Sequence, residues 1–129
     1  MLAPITKHQA QPHPDDDPSH PIPSLAVLDV VTILKGGGAD LSIVVASPLA
    51  ADHRSLTRLL EKIDGYLSHI QSSEFQAEAG APNCSNTAIK VLLHPASAPE
   101  AYDLLDRSRN WVLANNATLK VEELDLVAH

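Results

Sequence analysis

Aromatic side chains are scarce in this 129-residue sequence, which has one Trp, two Tyr and one Phe. A core built without rings must rely on Leu, Ile, Val and Ala, and the apolar fraction of 44% is ordinary for a globular chain of this length. Cysteine is scarcer still. Cys84 stands alone, so no internal disulfide can form, and a reducing compartment such as the cytoplasm is the expected setting. Positive charge is also short, with 9 Lys and Arg against 16 Asp and Glu and a formal net charge of −7. No Lys/Arg cluster is present to neutralise phosphates, which argues against nucleic acid as a partner and leaves a basic protein as the compatible charged one. No apolar run approaches the ~20 residues of a membrane span, and the N-terminus has no signal-like apolar segment. A single domain is the natural expectation.

Proline is concentrated where apolar groups are few. Residues 1–24, "MLAPITKHQAQPHPDDDPSHPIPS", hold six of the ten prolines, three consecutive aspartates and three histidines. This composition predicts a disordered tail over 1–24, with the folded domain running over 25–129. His8, His13 and His20 beside Asp15, Asp16 and Asp17 read as solvated residues rather than a metal site, because an unstructured chain must lose entropy to wrap an ion.

From Leu25 onwards the periodicities alternate. "SLAVLDVVTIL" is rich in β-branched residues and predicts a strand. "KGGGAD" supplies glycines for a reversal, and "LSIVVAS" returns as a second strand, giving a β-hairpin. "KGGGAD" lacks the spacing and the following helix of a phosphate loop. Leu56, Leu59, Leu60, Ile63, Leu67 and Ile70 then recur at steps of three and four, predicting a helix from about Asp52, its N-cap, to Ser72. "QAEAGAPNCSN" reads as a loop and "TAIKVLLHP" as a third strand. Ser97 and Glu100 fit a capping box opening a second helix that ends at Asn115-Asn116. "ATLKVEEL" closes the chain as a fourth strand, with a fraying end. The order ββαβαβ predicts an α+β domain: a four-stranded mixed sheet with two amphipathic helices on one face. Adjacency alone suggests the strand order 1-2-3-4.

The pattern of a hairpin, the helix "LLEKIDGYLSHIQSSEF", the strand "IKVLLHP" and a closing helix and strand resembles a family of small bacterial proteins that carry a domain of unknown function. The resemblance covers about residues 28–122. Its most specific piece is "EKIDGYLSHI", Glu61 to Ile70, through Lys62, Ile63, Asp64, Tyr66 and Leu67. Where the family often has a tryptophan before the helix, this chain has Ala50-Ala51. The resemblance implies a compact α+β domain in a bacterium and brings no activity with it.

No catalytic or cofactor motif emerges, so no cofactor and no resident metal are expected. Cys84 lies in a polar loop without a local base. Asp52, His53, His94 and Ser97 fall at the expected edge of the sheet where both helices begin, and could converge on an anion or small ligand; the plainer reading is that each is a local surface residue. The polar side of the long helix carries Arg58, Glu61, Gly65, Ser68, His69 and Ser72. Gly65 and the serines leave a low strip that close approach of another backbone would explain, although a tolerated exposed glycine explains it too. The uncovered sheet face, with Val44, Lys90, Leu92 and Val30 or Val31, is apolar enough to invite a homodimer, a partner, or Ile22 and Leu25 of the tail. The functional expectation is a small non-enzymatic bacterial interaction protein, an inhibitor or immunity-type protein for a basic partner being one version. The alternative is a small-ligand or anion-binding domain, with an enzyme as one version of it, at the edge near His53 and His94.

Overall fold

The computed structural model describes residues 16–125. His8 and His13, with the rest of the chain before Asp16 and after Asp125, lie outside the described residues. Four strands, β1 (Val30–Ile33), β2 (Ala39–Val45), β3 (Thr87–Leu93) and β4 (Thr118–Glu123), form one sheet in the order β1-β2-β3-β4. β1 and β2 pair antiparallel, while β2–β3 and β3–β4 pair parallel. Successive right-handed crossovers that advance in one direction stack their helices on the same face. Leu41, Ile43, Val45, Ile89, Val91 and Leu93 point to that face and are buried. Their neighbours Ser42, Val44, Lys90 and Leu92 point to the open face and are half-buried.

β1 is shorter than its composition suggests, because Val27 and Leu28 lie before the ladder begins. The turn after it closes with Leu34 N–H donating to the Gly38 carbonyl at 2.9 Å and Gly37 N–H donating to the Leu34 carbonyl at 3.1 Å. Gly38 is demanded twice over. Its φ is +89°, and a Cβ there would lie 2.1 Å from the Asn86 carbonyl oxygen.

α1 (His53–Ile70) follows β2. The Asp52 carboxylate caps it by accepting from Ser55 N–H at 3.1 Å. Leu59, Ile63, Leu67 and Ile70 are its buried stripe. The helix does not continue to Ser72. The Ser72 hydroxyl instead accepts from Phe75 N–H at 3.2 Å and opens a second helix, α2 (Ser73–Ala79). The first part of the expected loop is therefore helical, fastened by buried Phe75 and Ala79. Gly80, with φ +81°, ends it.

The second helix also departs from its sequence pattern. It comes as α3 (Pro99–Arg107) and α4 (Arg109–Ala114), broken at Ser108, whose hydroxyl donates back to the Leu104 carbonyl at 2.7 Å. Ser97 is not its cap. Ala98 holds that place without a side-chain bond, ahead of Pro99 at the first helical position. Leu49 N–H competes for the Ser97 hydroxyl and wins, at 3.0 Å, in a buried bond that ties the β2–α1 loop to the β3–α3 loop. Asn116, with φ +72°, ends α4 as expected.

Packing begins before Leu25. Residues 16–29 run along α1, and Ile22, 2% exposed, belongs to the core. Ile22 and Leu25 thus pack on the helix side, and not on the open sheet face. A proline-rich segment suits this course because α1 asks it mainly for carbonyls, and proline lacks only the N–H.

Candidate functional site

Three side chains on α1 hold this N-terminal strap. Arg58, Lys62 and Tyr66 follow one another at four-residue steps, so they lie on one face of the helix beside the apolar stripe. Arg58 donates through Nε and Nη2 to the Ile22 carbonyl at 3.0 and 2.6 Å. Lys62, 2% exposed, donates to the carbonyls of Ser24 and Val27 at 2.6 and 2.7 Å and to Asp29 Oδ1 at 3.1 Å. An ammonium has three donors, and here each has an acceptor, which is what makes the burial of its charge tolerable. Tyr66 donates to the Ser42 carbonyl at 2.7 Å and accepts from Asp29 N–H at 2.8 Å. Burial pushes its phenol well above the ordinary tyrosine value. Asp29 Oδ2 accepts from Val44 N–H at 2.9 Å, just beyond the end of β1.

This strap occupies much of the strip that the sequence marks as a partner surface. A Cβ on Gly65 would meet the Leu25 carbonyl oxygen at 3.5 Å, so the backbone that approaches the glycine is the chain's own. Arg58 is buried beneath the strap. His69 meets the Phe75 ring edge-on at 5.4 Å, and Ser72 caps α2. Glu61 and Ser68 remain exposed.

Three of the four residues proposed to converge at the sheet edge have their side chains engaged elsewhere. Asp52 accepts from the Ser55 amide and hydroxyl, and the hydroxyl bond above all lowers its pKa. His94 Nδ1 accepts from Ala96 N–H at 3.0 Å, while Ser97 is held by Leu49 N–H. His53 is exposed and borders a depression of about 360 Å³ with Arg54, Thr57 and Glu61. Ser97 N–H donates to the His94 carbonyl at 2.9 Å, within the turn that follows β3, but no side-chain hydrogen bond among the described residues joins any one of the four to another.

Two further surfaces emerge that the sequence does not single out. A groove of about 500 Å³ runs between α1 and the α3–α4 pair, with Leu60, Leu104 and Trp111 in its lining and Glu61, Asp64 and Arg107 beside them. A second depression, about 420 Å³, lies between α3 and β4. Asp103, Asp106, Glu122 and Glu123 border it around Tyr102. Arg109 is the cation there, and it donates to Asp106 at 3.1 Å and to the Leu119 carbonyl at 2.8 Å. Desolvation, and secondarily the charge of Glu123, raises the Tyr102 phenol. The signal for this acidic surface was present in "EE" of β4 and in the Asp103–Asp106 spacing, but their juxtaposition needs the β3–β4 crossover.

Cys84 is exposed. Among the described residues no group of three His, Cys, Asp or Glu side chains is placed to hold a metal ion, and no helix is long and apolar enough to cross a membrane. Compared with known proteins, the chain matches no family model, no curated protein and no solved structure.

Proposed function

We propose that this chain is a non-enzymatic interaction protein whose α3–β4 face receives a basic protein partner. The observation that carries the reading is the convergence of Asp103, Asp106, Glu122 and Glu123 around one depression, with Arg109 as the local counter-charge. Such a surface attracts lysine- and arginine-rich surfaces and rejects acidic ones. The net charge of −7 extends the same field over the molecule. In a bacterial cytoplasm, the setting suggested by the family resemblance and by the free Cys84, an inhibitor or immunity-type protein is the concrete form. The test is affinity capture from the host with the wild type and with a variant carrying Asp103→Asn, Asp106→Asn, Glu122→Gln and Glu123→Gln. A basic protein retained by the wild type at low salt, released by salt and missed by the variant is the expected result. Identical recoveries from both would sink the reading.

A ligand-binding alternative is favoured by the α1–α3 groove rather than by His53 and His94. Its volume of about 500 Å³ lies within the range of small-molecule sites. Arg107 at its edge suits an amphiphile with an anionic head. Trp111, the sole tryptophan, reports on it directly. Titration with a medium-chain fatty acid should shift Trp111 fluorescence saturably, and an unchanged spectrum removes this alternative.

A further inference from the structure

The exposed large apolar residues are not scattered. Among the described residues five of the six, Val27, Val30, Val31, Ile33 and Leu34, between 37% and 56% exposed, lie on or beside β1, and Leu113 lies apart on α4. β1 is an edge strand, with β2 on one side. The bond from Leu34 N–H to the Gly38 carbonyl makes that pair hydrogen-bonded, and alternation makes Thr32–Asp40 and Val30–Ser42 pairs of the same kind. The N–H and C=O groups of Val31 and Ile33 therefore point away from β2, and they have no hydrogen-bond partner among the described residues.

The other edge of the sheet is treated differently. β4 carries Lys120, Glu122 and Glu123, and Arg109 covers the Leu119 carbonyl. Charged side chains and covered carbonyls are how edges are kept from pairing. β1 has no charged residue between Asp29 and Lys35. An apolar edge with free main-chain groups is built to accept another strand.

We propose that β1 pairs antiparallel with β1 of a second copy of this chain, about a two-fold axis at Thr32. The second copy is the occupant that the edge itself specifies, because the strand complements itself. In this register Val31 faces the second copy's Ile33, and the outward groups of each pair form main-chain hydrogen bonds, repeated across the axis. Val31 and Ile33 share the helix side of the sheet with Leu41 and Ala39, so the four side chains make one apolar cluster. On the open side Val30 meets the second copy's Leu34. Beyond the strand ends no like charges meet, because the Asp29 carboxylate is held within its own chain by Lys62 and Val44 N–H. The axis brings Thr32 against its own copy in a non-hydrogen-bonded pair. The interface moves the dimer from the open sheet face to the sheet edge. It lies across the sheet from the acidic face and is independent of the basic-partner reading.

The patch is small, of the order of a few hundred Å² per copy, and falls short of the ~1,200–2,000 Å² of standard interfaces. The dimer should therefore form at tens of micromolar and dissociate on dilution. Sedimentation equilibrium of the full chain over a concentration series is the first measurement. The wild type should show a reversible monomer–dimer equilibrium. Val31→Pro deletes an outward N–H that β2 does not use, and should weaken association about tenfold to a hundredfold through two lost bonds. Ile33→Lys, which places a charge against its own copy's edge, should weaken it likewise. Both variants should keep the wild-type unfolding midpoint at low protein concentration. Crosslinking tests the register without relying on either variant. In a Cys84→Ser background, Thr32→Cys should oxidise to a covalent dimer, because non-hydrogen-bonded partners lie about 4.5 Å apart at Cα. Val30→Cys should not. A wild type that stays monomeric at several hundred micromolar overturns the proposal. So does a dimer unaffected by both edge variants, or one that crosslinks through Val30→Cys in preference to Thr32→Cys.

Discussion

Two glycines illustrate how far a residue's meaning depends on what lies across from it. Gly65 sits in the fourth turn of α1 without a positive φ, and its nearest neighbour, the Leu25 carbonyl oxygen, would stand 3.5 Å from an added Cβ. That is ordinary contact, so Gly65→Ala should stabilise the protein by about 0.5–1 kcal/mol through helix propensity and a less flexible unfolded chain. Gly38 offers neither freedom. Its positive φ strains any L side chain, and the Asn86 carbonyl occupies the place of the Cβ. Gly38→Ala should destabilise by about 2 kcal/mol or more, since the turn must part from Asn86. Urea unfolding of the two variants checks both signs together. A Gly65→Ala protein less stable than wild type would mean that the strap lies closer to the helix than 3.5 Å implies. The low strip around Gly65 was legible in the sequence. Its occupant was not, because Leu25 lies forty positions upstream, at the border of a proline-rich segment that reads as a solvated tail.

At the scale of elements, the parts read correctly from sequence are those whose signal is local. The hairpin follows from β-branched runs around glycines, α1 from its three-four stripe, and β3 and β4 from alternation. The parts misread are those decided by competition. Ser97 fits a capping box, but Leu49 N–H, 48 positions away, takes its hydroxyl. Ser108 fits a continuous helix, but its bond to Leu104 accompanies a break. α2 is masked by polar composition, and the Ser72 cap with the burial of Phe75 and Ala79 explains it. The strap is the largest such case. It holds to α1 through carbonyls given to two cations, a mode with no periodicity to detect. Lys62→Met keeps the length of the stem and removes the donors, leaving the Ser24 and Val27 carbonyls and the Asp29 carboxylate without them. The cost should be about 2–3 kcal/mol, below that of a fully buried pair because the Asp29 side chain is 25% exposed. Amide exchange should localise the effect. Asp29 and Val44, whose N–H groups depend on Tyr66 and on the Asp29 carboxylate, should exchange faster, relative to global unfolding, than the amides between β2 and β3.

For the molecule as a whole, the strap writes a pH dependence into stability. His20 Nδ1 accepts from Ile22 N–H at 2.9 Å, so that nitrogen carries no proton. Nε2 then bears the ring hydrogen and donates to the Ser55 hydroxyl at 3.0 Å, which donates onward to Asp52 Oδ1 at 2.7 Å. The arrangement needs neutral imidazole. Desolvation, then the charges of Arg58 and Arg54, lowers the His20 pKa against the opposing pull of Asp17 and Asp52. The folded protein therefore binds this proton less readily than the unfolded chain, whose value is about 6.5. Its contribution is complete above that value and is lost as pH falls through the lower folded one. A second limb lies further down. Hydrogen bonds from Ser19, then Arg54, hold Asp17 at about 2 against an ordinary 3.8, and Ser55 lowers Asp52. Those carboxylates stabilise the fold above their unfolded values and lose that effect as they protonate. Unfolding free energy measured from pH 8 to pH 3 should decline first below about 6.5 and again below about 4. His20→Ala should be less stable at pH 8 and should lack the first decline, so that its curve approaches the wild type as the pH falls below about 6.5. A wild-type curve that is flat between pH 7 and pH 5, or an equal slope in His20→Ala, would show that the strap does not depend on neutral His20.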